Sequence, residues 1–194
     1  QMNELRPEGL PNYRLIDMGK DKWTKVRDSL KMDGKLDEEF WTAYNYPRKL
    51  REFRTNGKPK DETLFMARWW NGSLYFGIRC EFDPTKPPVI GSKKNNDPAI
   101  WQGEHLELLI ETNKNSYYQI VVNPAGSVID LDRGVPLRQK KAYEWSSQAE
   151  AATHLGKDFW SMEIRLPVTS SDEDPLHQMI GELPFEAKAK ALAT

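Results

Sequence analysis

Several short runs of this chain alternate apolar and polar residues, separated by Gly, Pro, Asn and Asp. That period belongs to a strand, whose successive side chains leave the backbone on opposite faces. Residues 63–70 form the first clear run, and Asn71-Gly72, the pair best suited to a two-residue hairpin turn, follows it. The return run, 73–82, places Leu74, Phe76, Ile78 and Cys80 on one face. On such a face a lone cysteine reads as a small buried apolar residue. Further strands are predicted over 105–111, 117–123, 127–132, 146–153 and 159–166, with turns between them. Tyr118, Ile120 and Val122 share one face, and Trp160, Met162, Ile164 and Leu166 share another. About seven strands at this spacing, with no βαβ alternation and no internal repeat, predict an all-β fold. The expected architecture is an antiparallel β-sandwich, immunoglobulin- or jelly-roll-like, with few short helices.

Outside the strands, residues 1–30 are polar and interrupted by Pro7 and Pro11, and read as an N-terminal extension or a first strand. Asp33-Gly34 is a turn signal, and 35–41 predicts one helical turn with Leu36, Phe40 and Trp41 inward. Residues 185–194, rich in Ala and Lys, read as a helical tail with no strand after it, so the chain is expected to be a piece of a longer protein. The sandwich is then predicted over 31–184. Residues 45–61 form a basic loop and 83–99 a long polar one. Loops beyond about 12–15 residues in a compact domain often carry function.

Charge and composition remove several function classes. The 28 basic and 29 acidic residues leave a net charge of -1, which predicts neither nucleic acid nor a membrane as partner. No apolar run approaches the roughly 18 residues of a membrane helix. One cysteine excludes a disulfide framework and a Cys-rich zinc site, and three separated histidines offer no His-rich metal site. Met66 and His105 are the sole nominees for a haem-ligating pair, and nothing in their context supports it. The basic stretches Arg48-Lys49-Leu50-Arg51 and Arg138-Gln139-Lys140-Lys141 suit either a polyanion, such as an acidic polysaccharide, or a solvated loop. No catalytic residue is assigned and the protein is not expected to be an enzyme. Glu104 and Glu107, three apart, would fall on opposite faces of a strand, whereas a glycosidase sets two carboxyl groups across one bond.

Three stretches carry a likeness to a known family. They are Met32-Asp33-Gly34 with Phe40-Trp41, the hairpin from Trp70 to Asp83-Pro84, and Ile100-Trp101-Gln102-Gly103-Glu104 running into Glu107 and Ile110. The late strand containing Glu163-Ile164-Arg165-Leu166-Pro167 fits a fourth element. Together, over about 31–168, they resemble the family 9 carbohydrate-binding modules and their DOMON-type relatives. The resemblance implies a non-catalytic β-sandwich that binds polysaccharide or oligosaccharide. It also implies a place beside a catalytic domain in a secreted glycan-processing protein, hence an extracellular or periplasmic setting, and calcium as a structural ion. By position, Trp101 would be a stacking ring, Glu107 an acceptor for sugar hydroxyls, Glu104 a further contact or loop ligand, and Gln119 stands about where the family has Arg. The family's second stacking Trp lies beyond the strands present here, unless Trp145 takes its place.

The same residues make chemical sense without the family. A sugar ring has an apolar C–H face on which an indole stacks, and a rim of hydroxyls that carboxylates and amides address. The residues alone leave Trp101 as either an exposed platform or a core ring. Asp83, Asn96, Asp97 and Glu104 are oxygen donors of the kind calcium takes, or ordinary turn formers. The competing expectation is a structural or domain-docking sandwich without sugar binding.

Overall fold

The computed structural model describes residues 30–42, 47–70, 73–111, 117–134 and 140–167. The expected extension before Leu30, the Asn71-Gly72 turn and the helical tail over 185–194 lie outside them. Eight strands are described: β1 (Arg48–Lys49), β2 (Thr63–Trp70), β3 (Ser73–Glu81), β4 (Leu106–Glu111), β5 (Tyr117–Val122), β6 (Val128–Asp132), β7 (Glu150–Leu155) and β8 (Phe159–Pro167). They form two antiparallel sheets, one ordered β1-β2-β3-β8-β7 and one ordered β4-β5-β6. The fold is an all-β sandwich. Among the described residues its helices are α1 (Glu39–Thr42) and the single 3-10 turns Pro98–Gln102 and Lys140–Tyr143.

Alternation decides what fills the space between the sheets. Leu74 and Ile78 of β3, the Trp160-Met162-Ile164-Leu166 face of β8, and Ile120 and Val122 of β5 make one buried cluster, with Cys80 packed beside it. Burial pushes the Cys80 thiol up to about 11. Each outer face is covered in part, although Glu107 and Leu109 on the smaller sheet stay exposed. On the larger sheet, Phe40, Trp41 and Tyr75 form a second cluster with Leu36, Met66 and Trp70. On the smaller sheet, Ile100, Val121, Ile129 and Leu131 form a third.

The 30–42 segment is strapped down by one buried carboxylate. Glu163 Oε2 accepts from the backbone N–H of Asp33 and of Gly34, each at 2.7 Å, and Oε1 accepts from Trp41 Nε1 at 2.6 Å. Burial raises the Glu163 carboxyl above its ordinary range against the downward pull of Gly34 and Trp41. Gly34 has φ +83°, and a β-carbon there would lie 2.5 Å from the Thr153 carbonyl carbon. Gly77, opposite Glu163 in the register, leaves room for the Trp41 ring.

Three expected boundaries are corrected. The strand placed at 146–153 runs instead over Glu150–Leu155. Ser147 breaks the alternation by turning its backbone N–H and its hydroxyl onto Asp130, at 3.2 and 2.7 Å, and Gln148 takes a left-handed φ of +53°. The basic loop contains the short strand β1, and the strand placed from His105 is preceded by the 3-10 turn at Pro98–Gln102.

Candidate functional site

The long polar loop turns out to be a pinned lid on the outer face of the small sheet. Asp97 caps the 3-10 turn by accepting from Ala99 N–H at 3.0 Å and from Ser92 Oγ at 2.6 Å. These donors hold the Asp97 carboxyl below its usual range. Asn123 Nδ2 and Ser127 Oγ donate to the Ser92 carbonyl, at 2.7 and 3.2 Å, and Asn96 N–H donates to Val128 O at 2.9 Å. The two arms of the loop then touch: Glu104 N–H donates to Val89 O at 2.7 Å, and a β-carbon on Gly91 would sit 2.1 Å from Ala99 O. With the loop so fixed, Ile100 plugs the hydrophobic cluster and Trp101 lies half-buried against it.

Three of the four expected residues are linked around that ring. Trp101 meets His105 edge-on, with centroids 5.2 Å apart. His105 Nε2 lies 3.4 Å from Glu107 Oε1, and Gln119 Nε2 donates to Glu107 Oε2 at 2.8 Å. The His105 Nδ1 is 2.8 Å from the Gly103 carbonyl, which can only accept, so this nitrogen carries the proton. Gln119 is buried and its Oε1 has no hydrogen-bond partner among the described residues. The alternating pattern already placed His105 two positions before Glu107 and so on its face; that signal was present and unused.

Glu104 stands apart from this chain of contacts. It lies before β4 rather than within it, so the expectation that a strand separates it from Glu107 does not hold. Glu104, His105 and Glu107 together line one side of a groove of about 570 Å³. Cys80, Leu106 and Trp160 supply its apolar part. Trp145 does not serve as a second ring beside Trp101. It stacks on Tyr118, with centroids 4.2 Å apart, on the inner face of β5, whereas Gln119 points outward.

Several of the oxygen donors expected for calcium already accept hydrogen bonds. Asp83 Oδ1 is taken up by Thr85 and both Asp97 oxygens by Ser92 and Ala99. Among the described residues, one group of three His, Cys, Asp or Glu side chains, Asp33, Glu38 and Glu163, comes within 4.8 Å. There N–H donors already point at the Glu163 oxygens, which suits an anionic acceptor better than a shared cation.

No family model matches the chain. No curated protein matches it either. Among solved structures, the chain is similar to a crystal structure of a "putative carbohydrate-binding protein" from Bacteroides uniformis, at 14% identity and a TM-score of 0.41. The similarity covers 63% of this chain and 59% of that one.

Proposed function

We propose that this domain binds carbohydrate without turning it over, along the surface formed by Trp101, His105, Glu107 and Gln119, and that it works as a family 9-like module. The observation that carries this is the contact chain from Trp101 through His105 and Glu107 to Gln119, fixed by a pinned loop. A half-buried indole and a carboxylate that remains partly exposed, held in place by the buried Gln119 amide, are groups that a pyranose ring and its hydroxyls call for. The groove beside Glu104 and Glu107 gives a longer oligosaccharide room to continue.

Calorimetric titration with xylan fragments, β-glucan fragments and mono- or disaccharides tests the proposal. Saturable binding is expected, with Trp101→Ala and Glu107→Ala each weakening it by about tenfold or more. Failure of every sugar to bind, with the parent chain folded, would favour the other reading, a structural or docking sandwich. The seat of Trp101 on Ile100, Val121, Ile129 and Leu131 is the observation on that side.

A further inference from the structure

The turn that follows β1 has a second, separate character. Phe53 is 99% exposed, the ring standing in water from a backbone that is tightly organised. Glu52 N–H donates to Gly57 O at 3.0 Å, Asn56 N–H donates to Glu52 O at 2.9 Å, and Arg51 Nη1 donates to Asn56 O at 3.0 Å. The Glu52 carboxylate turns back to accept from Arg54 and Thr55 N–H, at 3.2 and 2.6 Å, which fixes the tip, and the Thr55 hydroxyl together with these N–H groups lowers its pKa. Leu50, just after β1 and at the edge of the neighbouring groove, is 43% exposed. Around these apolar groups stand Arg48, Lys49, Arg51, Arg54, Lys58 and Lys60, all exposed, with Glu52 as the single acid between 48 and 60. Lys49 shares its charge with Glu62 at 2.6 Å. The near-neutral total of the chain conceals this local concentration of positive charge.

We propose that this turn is a docking point for an anionic phospholipid surface, with Phe53 entering the headgroup layer and the surrounding cations meeting phosphate and carboxylate groups. The shape decides among polyanions. Sugar and peptide sites are concave, or are platforms that bury their ligand, whereas Phe53 is 99% exposed and lines no pocket wall beside Leu50 and Lys60. An interfacial layer accepts a single projecting ring and rewards nearby Lys and Arg. The neighbouring groove argues against an acidic glycan running from the turn toward Glu107. Lys60 and Lys86 there are outnumbered by Asp61, Glu81, Asp83, Glu104 and Glu107.

The test is cosedimentation of the full chain with vesicles of phosphatidylcholine, alone or with about 30 mol% phosphatidylserine. Binding is expected to the anionic vesicles only, and is expected to be lost at about 0.5 M salt. Phe53→Ala should weaken it about tenfold. The double change Arg54→Glu with Lys58→Glu should abolish it. Both variants alter exposed side chains and should melt with the parent, and Trp101→Ala should leave vesicle binding unchanged, which separates this surface from the sugar site. The proposal is overturned if the parent ignores anionic vesicles, if the variants bind as well as the parent, or if the turn retains only an acidic polysaccharide or an acidic protein.

Discussion

Glu163 shows how one side chain can organise a region far from it in sequence. It is fully buried and accepts from two backbone N–H groups and one indole. Removing such an acceptor leaves all three donors dry, and each unsatisfied buried group is costly. Glu163→Ala is therefore expected to lower unfolding free energy by about 3 kcal/mol or more, read by urea denaturation. Gly34→Ala should destabilise by about 2–4 kcal/mol, since it meets both a left-handed φ and the Thr153 backbone; thermal melting checks this. Cys80 gives a pH-dependent readout. Its thiol, ordinarily near 9.0, is pushed up to about 11, so the reactive thiolate forms in the folded protein only at higher pH. At pH 9, about one folded thiol in a hundred is ionised against half in an unfolded chain. Cys80 is only partly buried, at the wall of the groove, so alkylation at that pH should be slower in buffer than in denaturant, and equal rates would refute the raised thiol pKa. Asp33-Gly34, Trp41 and Glu163 were visible in the sequence as motif residues. Their common purpose was not, because nothing local says that a carboxylate on the last described strand faces a turn near the first.

At the scale of elements, the strands were legible where alternation was clean. β2, β3, β5 and β8 fall within a residue of their expected bounds, because one face of each fills the space between the sheets. β7 was misplaced because Ser147 spends its backbone N–H on a crossing to Asp130, while Gln148 turns left-handed and donates to Ser146 Oγ. The loop over 83–99 was legible as long and polar, but not as rigid. Its order comes from Asn123 and Ser127, which reach Ser92 from 31 and 35 residues away. Asn123→Ala, which removes the Ser92 contact and two acceptor bonds to Ala125 and Ser127, should loosen the platform as well as the fold. Sugar affinity should drop by about tenfold, with unfolding free energy lower by about 1–3 kcal/mol. Calorimetry beside chemical denaturation separates the two effects. The Trp101–Glu107–Gln119 association was legible from the family likeness; the inward packing of Trp145 was not, since its partner Tyr118 belongs to a different strand.

For the whole molecule, two unequal sheets whose outer faces are each clad in part explain why simple inside-outside counting falls short. Val121, Ile129 and Leu131 lie on the outer face of their sheet and are nonetheless dry, sealed by the loop that carries Trp101. The same arrangement gives the strap around Glu163 a temporal consequence. The bond from Asp33 to Glu163 spans 130 positions. A ribosome delivering this chain from its amino end must therefore hold the Phe40–Trp41 patch uncovered until almost the entire sandwich has been synthesised, and that interval is when the nascent polypeptide most needs a chaperone's shelter.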